Sequence, residues 1–417
     1  MKNKTLLVDR ESSRCRQGGG DSGGVTNSKW ERNRLGDLVG AQKGYAFKSG
    51  WYSDAGRPIV KVSDFTDDSV DSSGLVCIPE EIASDHLKYE LRIGDVVVQT
   101  VGSWPNNPAS VVGKCVRIPR NAAGALLNQN AVKLSPTKDL DAQFLFYLLR
   151  YDDFKTYIIG TAQGAASQAA ITMEAIRAYE FDTPPLPVQR RIASILSAYD
   201  ELMENSQRRI RILETMARAL YREWFVHFRF PGHEKLPRVA SPIGDIPQGW
   251  EVKKLGDILE LIYGKALKQE DRSGGAVPVF GSSGIVGQHD KALVKGPGII
   301  VGRKGNVGSV FWSVEDFFVI DTAYYVTSSL PLRFLFYVLP TLNFLNSDAA
   351  VPGLSRNQAY TLEILVPPPP LLERFCNLAN TFEQQASTLQ RQIQNLRHTR
   401  DLLLPRLLSG QVNLKEN

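Results

Sequence analysis

Very little in this 417-residue chain is suited to building disulfides, metal sites or membrane spans. Its four cysteines, Cys15, Cys77, Cys115 and Cys376, form no CxxC pair. That excludes a disulfide framework and suits a reducing compartment. The five histidines show no HExxH or other ligand spacing, so no metal site is expected. No apolar run approaches the length of a membrane span, and near the start "TLLV" is interrupted by Asp9 and Arg10, which argues against a signal peptide. A cytoplasmic chain is expected. A GxxxxGK[ST] phosphate loop is absent, as is any Asn- or Asp-Pro-Pro-aromatic motif, so neither ATP-driven motor work nor methyl transfer is expected of this chain. The excess of one charge sign over the other is also small: the net value is +5, compatible with nucleic acid but no demonstration of it.

What the sequence does have is a repeat. Trp30–Lys48 reads WERNRLGDLVGAQKGYAFK and Trp250–Lys268 reads WEVKKLGDILELIYGKALK, identical at eight of 19 positions without a gap. FLFY follows in both halves, at Phe144–Tyr147 and Phe334–Tyr337. Prolines then introduce a long helical pattern, at Pro184–Pro185 and at Pro367–Pro370. Trp30 to Phe144 spans 114 positions and Trp250 to Phe334 only 84, so the ends of the halves match and the middles differ. A common frame carrying two different surfaces would look like this.

Val96–Val98, Ile299–Val301 and Phe317–Ile320 read as buried strands and Gln143–Arg150 as a short helix. From Val188, Ile192, Ile195, Tyr199, Leu202, Ile210, Leu213, Ala217 and Leu220 keep a three-to-four spacing. Leu371, Phe375, Leu378, Phe382, Leu389, Ile393, Leu396 and Leu403 repeat it. Two narrow apolar seams of this kind belong to helices that pair along their length. About 36 residues make a rod of roughly 50–55 Å. Pro405 is expected to end or kink the second helix near Leu404. The expected division is a disordered leader at 1–29, a first domain at 30–186, a first long helix at 187–228 and a breaker-rich linker at 229–249. A second domain at 250–370 and a second long helix with its tail at 371–417 complete it.

Phe280–Gly287 (FGSSGIVG), Gly298–Gly305 (GIIVGRKG) and Ile320–Tyr325 (IDTAYY) resemble the recognition domain of type I restriction–modification specificity subunits. Leu402–Gly410 (LLLPRLLSG) is similar to that family's terminal signature, as are the Pro184–Gln189 lead-in to the first helix and the Ile246–Trp250 start of the second half. In sequence the first half has no counterpart of Gly302–Gly305, and Glu373 stands where the first half has Gln189. The resemblance implies an α+β fold: two mixed target-recognition domains separated by two long antiparallel paired helices, with an internal pseudo-twofold repeat. It implies a non-catalytic subunit that reads a bipartite, asymmetric target in double-stranded DNA and docks two methyltransferase subunits, with restriction/translocase subunits beside them. S-adenosylmethionine, ATP and Mg are then expected on the partners and no cofactor in this chain. The rival readings are a stand-alone or fragmentary DNA-modifying enzyme, and a coiled-coil adaptor that never touches DNA.

Arginine pairs bidentately with guanine and asparagine with adenine, whereas lysine mainly meets phosphate. Arg303, Lys304 and Asn306 on a Gly-flanked turn are therefore the first candidates, with Ser282, Ser283, Arg356, Asn357, Lys265 and Lys268 in the same half. The candidates of the first half are Lys43, Tyr45, Lys48, Gln99, Thr100, Trp104, Asn106, Asn107, Gln163, Ser167 and Gln168. Tyr324 and Trp104 read as packing residues ahead of base stackers. Arg208, Arg211, Gln390 and Arg391, on the polar faces of the helices, are the candidates for partner docking.

Overall fold

A computed structural model describes residues 30–105, 111–164, 168–344, 353–412 and 414. The leader at 1–29 lies outside the described residues, as do Asn106, Asn107 and Ser167. The chain divides into two compact units. Unit 1 runs to Tyr199 and resumes at His398, and unit 2 is Asp200–Arg397.

Unit 1 is built on an antiparallel sheet in the order Val39–Lys43, Ala131–Pro136, Val96–Gln99, Cys115–Arg117. Unit 2 repeats it as Leu259–Tyr263, Ala323–Ser328, Gly298–Gly302, Val310–Ser313. The third strand of each is buried along its whole length, as expected where both faces of a sheet are covered. Each unit also has a three-stranded sheet whose middle strand pairs antiparallel on one side and parallel on the other. The middle strand is Arg57–Val60 in unit 1 and Val277–Gly281 in unit 2. The FLFY segments lie in the helices Ala142–Leu148 and Leu332–Val338, which bury Phe144 and Leu145, and Phe334 and Leu335.

The eight shared letters belong to this frame. Leu35 and Leu255 are both fully buried. Gly44 and Gly264 lie against a neighbouring strand, where an added Cβ would meet the carbonyl oxygens of Asn128 and Ile320 at 2.1 and 2.2 Å. Only glycine permits so close a backbone approach.

Two long helices, Leu186–Tyr221 and Pro369–Leu408, complete the units. In unit 1, Val188, Ile192, Ala193 and Leu196 share a core with Leu407 and Leu408. In unit 2, Tyr221, Trp224 and Phe225 share a core with Leu372, Phe375 and Ala379. The start of each helix thus packs with the end of the other, and the two run antiparallel.

Their seams differ in register from the sequence reading. Leu202 is 53% exposed and Met203 is buried in its stead, while Leu378 is exposed and Ala379 buried. Ile192, Leu196, Tyr199, Met203, Ser206, Ile210, Leu213, Ala217, Leu220 and Trp224 line the first seam, and none is exposed. The second comprises Phe375, Ala379, Phe382, Ala386, Leu389, Ile393, Leu396, Arg400, Leu403 and Leu407. Both are unbroken heptad repeats, the mark of helices that coil about each other. Size is not the criterion for a seam position: serine and alanine qualify because they let backbones approach.

The second helix also does not stop at Leu404 but runs through Pro405 to Leu408. Proline at that point removes one backbone hydrogen bond near the helix end, and burial of Leu407 and Leu408 offsets the loss. The position equivalent to Gln189 is not Glu373. The amides of Val188 and Gln189 donate to the Pro185 carbonyl, those of Leu371 and Leu372 to Pro368, so Leu372 is the counterpart. The breaker-rich segment after the first helix holds a hairpin of Arg238–Ser241 with Gly244–Pro247, and Phe230, Ile246 and Trp250 are buried in the unit 2 core.

Candidate nucleic-acid interface

In unit 2 the candidate side chains come from loops that end at one corner of the main sheet. Ser282 and Ser283 form the turn between Val277–Gly281 and Gly284–His289. Arg303, Lys304 and Asn306 lie on the turn after Gly298–Gly302. The Ser309 hydroxyl lies within hydrogen-bond distance of the carbonyls of both turns, Ser282 at 2.6 Å and Asn306 at 2.8 Å. The amides of Arg303 and Lys304 donate to the Thr322 carbonyl at 2.9 and 3.1 Å. The Leu354 amide donates to the Arg303 carbonyl at 2.9 Å, which brings in the short helix Arg356–Tyr360. Lys304, Asn306 and Asn357 are exposed.

At the centre of this corner is Tyr263, which the sequence reading passed over. Its ring is 43% exposed at the end of its strand. The Arg303 guanidinium lies over it, 4.7 Å from the centroid, and so does that of Arg356, at 4.4 Å. Arg303 Nη1 donates to the Asp321 carbonyl at 3.2 Å and Arg356 Nη1 to the Leu261 carbonyl at 3.3 Å. The neighbouring Tyr324 hydroxyl, then the charges of Arg356 and Arg303, hold the Tyr263 phenol below its usual pKa. Burial pushes Tyr324 up to about 12. Tyr324 is 1% exposed, and its hydroxyl also lies within hydrogen-bond distance of the Leu354 carbonyl, at 3.1 Å, so it acts as a packing residue. Lys265 is exposed, whereas Lys268 pairs with Glu270 at 3.5 Å.

Backbone hydrogen bonds identify the matching corner of unit 1. The Thr100 amide donates to Asn130 O as Arg303 does to Thr322, and Ile171 donates to Thr100 O as Leu354 does to Arg303. Gln99–Thr100–Val101 is thus the structural counterpart of Gly302–Arg303–Lys304, although no letter is shared. Lys43 pairs with Val132 where Tyr263 pairs with Tyr324. Thr172 caps its helix where Ser355 caps the other, which sets Met173 opposite Arg356. Equal backbone positions therefore hold Lys43, Thr100, Val132 and Met173 in unit 1 and Tyr263, Arg303, Tyr324 and Arg356 in unit 2.

Two candidates of unit 1 are withdrawn from any surface role. Gln99 is 1% and Thr100 5% exposed, at and just past the end of a strand that runs between covered faces, and Gln99 Nε2 donates to the Val101 carbonyl at 2.9 Å. Trp104 is half-buried against the unit 1 core. Gln163 and Gln168 are exposed on the loop leading to Ala169–Ala170, which pairs with Val101–Gly102. Lys43 and Lys48 are exposed.

Tyr45 belongs to a cluster that no motif announces. Its ring centroid lies 4.3 Å from His86 and 5.3 Å from Tyr89, and its ring is parallel to Trp51 at 6.5 Å. Lys48 lies over Trp51 at 5.3 Å and Lys88 over Tyr89 at 4.9 Å. Lysines interleaved with aromatic rings supply both a phosphate contact and a stacking face. On the long helices, Arg208, Arg211, Gln390 and Arg391 are all exposed. Among the described residues no group of three His, Cys, Asp or Glu is placed to hold a metal ion, and no helix is long and apolar enough to cross a membrane.

The family model described as type I restriction modification DNA specificity domain matches residues 27–215 and 247–385. The chain is 26% identical over 321 residues to the type I restriction enzyme MjaIX specificity subunit of Methanocaldococcus jannaschii, covering 69% of this chain and 73% of that protein. It is 23% identical over 360 residues to the type I restriction enzyme HindI specificity subunit of Haemophilus influenzae, covering 65% and 77%. Among solved structures it is similar to the type I restriction–modification system S subunit from M. genitalium. The TM-score is 0.55 at 17% identity, over 94% of this chain and 98% of that one, which is a likeness of fold.

Proposed function

The chain belongs to the type I restriction modification DNA specificity family, and from that membership we propose that this specificity subunit reads a two-part, asymmetric target in double-stranded DNA. Unit 1 reads one part and unit 2 the other. The observation that carries this reading is the pair of corners: one backbone frame, built twice, with different side chains at equal positions. Two like readers would call for a symmetric target, and these are unlike.

The paired helices act as the spacer between the two parts of the target, and their exposed Arg208, Arg211, Gln390 and Arg391 offer docking positions to two methyltransferase subunits. Restriction/translocase subunits join through these. S-adenosylmethionine, ATP and Mg act on the partners, and this chain contributes no catalytic group. The work is done in the cytoplasm, where the DNA lies.

The test is a map of methylated adenines across the genome of a host carrying this chain with its partner subunits. A two-part motif with unequal halves and a fixed gap is expected. Deleting one heptad from each long helix removes about 10 Å of rise and is expected to shorten the gap by about three base pairs while both half-sequences persist. A contiguous or palindromic motif, or a deletion that alters the bases read, counts against the reading.

A further inference from the structure

The unit 2 corner has a feature that a general DNA-binding surface does not require. Two guanidiniums, Arg303 and Arg356, lie over one half-exposed ring, Tyr263, at 4.7 and 4.4 Å. Neither has an acidic partner among the described residues, and each is steadied by one backbone carbonyl. Two like charges converge here, uncompensated, where stacking and a carbonyl bond restrict the plane of each. Phosphate also accepts a planar fork, but it is held as well by the point charge of a flexible lysine, so it does not require fixed planes. Reading a base edge does need it, because a planar fork meets the O6 and N7 acceptors of guanine only in a defined orientation.

We propose that Tyr263, Arg303 and Arg356 form one base-reading unit, in which the tyrosine positions the two arginines for the acceptor edge of a guanine. The part of the target read by unit 2 therefore contains a G·C pair recognised in this way. Unit 1 has no equivalent: its matching positions are Lys43, a buried Thr100, Val132 and Met173. Arg303 is the primary reader, on a turn where Gly305 and Gly308 have φ of +79° and +76° and no side chain of their own stands beside it. Tyr263 is a positioning residue. The inference rests on the specificity-subunit reading and adds to it which base class unit 2 selects and through which side chains.

The experiment uses the full chain with its partner methyltransferase subunits and compares methylation motifs for wild type, R303K, R356K, Y263L and Y263F. Lysine keeps the charge and loses the fork, leucine removes the stacking face, and phenylalanine restores it. The expected result is that R303K lowers the preference for guanine at one pair, in one half of the target, by about tenfold or more. Y263L is expected to do the same at that pair and Y263F to retain the preference, while the other half stays intact in every variant. R303K and R356K motifs identical to wild type, with only weaker binding as salt rises, mean that the arginines hold phosphate and overturn the proposal. A wild-type target with no guanine in the half that responds to these variants overturns it as well. If the wild-type complex shows no sequence preference at all, the specificity reading falls and this inference falls with it.

Discussion

Gln189 provides a direct measure of how firmly a recognition domain is seated on its helix. It is 1% exposed. Its Oε1 accepts the Asp141 amide at 2.8 Å, and its Nε2 donates to the carbonyls of Asp139 at 3.0 Å and Pro184 at 2.9 Å. Asp141 in turn caps the helix Ala142–Leu148, accepting from the amides of Gln143 and Phe144. One side-chain amide thus ties the lead-in of the long helix to the start of the FLFY helix. Q189L keeps the size and strands one donor and two acceptors. At about 1 kcal/mol per hydrogen bond the loss is about 3 kcal/mol, reduced to about 2 where water reaches the half-buried partners. Q189E keeps an acceptor but turns a carboxylate toward two carbonyls, so its loss is larger. Leucine fits such a turn, since Leu372 occupies the equivalent place in unit 2 at 4% exposure, so the substitution isolates the polar contacts. For a unit of this size, about 2 kcal/mol lowers the unit 1 melting transition by roughly 4–8 °C. Calorimetry of the three proteins is the assay. A Q189L melting curve that overlays wild type, or Q189E more stable than Q189L, refutes the reasoning.

Four further outcomes are expected. Arg333 is buried in unit 2, stacked 3.7 Å from the Trp312 centroid and donating to Asn380 Oδ1 at 3.0 Å, so R333M is expected to cost about 2–3 kcal/mol in urea denaturation. E383Q is expected to cost under about 1 kcal/mol, because the Glu383 side chain is one-third exposed. G44A and G264A each force a Cβ against a carbonyl oxygen and are expected to destabilise their units, whereas G50A, with nothing within 4 Å, is expected to be near neutral in the same assay. Burial pushes the Cys115 thiol up to about 12, so at pH 8 only ~10⁻⁴ of it is thiolate. Peptide mapping after brief alkylation is expected to find Cys77 labelled and Cys115 unlabelled until the chain unfolds. Equal labelling of the two means that the Cys115 site is open.

The repeat and the two helices were legible because both are written in letters whose physics is local. WE, LGD and FLFY mark a strand start, a tight turn and a buried helix, and they recur in order. The seams were legible in period but not in register. Leu202 and Leu378 look like the better seam residues, yet the heptads pass through Met203, Ser206, Ala379 and Ala386, since the fit between facing helices sets the register. The counterpart of the Arg303 turn was illegible because its identity lies in which amide meets which carbonyl. Gln99 and Thr100 were misread as surface because a polar pair after a strand usually is. Tyr263 was missed for the opposite reason: alternation places it on the face of Leu259 and Leu261, both buried, but the core stops one residue short of it.

The places where the halves agree and disagree bear on what the duplication is for. Leu35 and Leu255, and Gly44 and Gly264, sit where backbone meets backbone or core, and a change at any of them displaces the whole corner. Lys43 and Tyr263, Thr100 and Arg303, Val132 and Tyr324, and Met173 and Arg356 sit on the same backbone with unlike side chains, of which Lys43 and Tyr263 are exposed and Thr100, Val132 and Tyr324 buried. The first set of four carries one positive charge and no aromatic ring, the second two charges and two rings. A corner whose frame is fixed while its contents vary can change what it reads without changing where it stands. That separation of position from chemistry is what an unequal pair of readers requires, and it predicts that exchanging the exposed pair, Lys43 and Tyr263, between the units alters base preference before it alters stability.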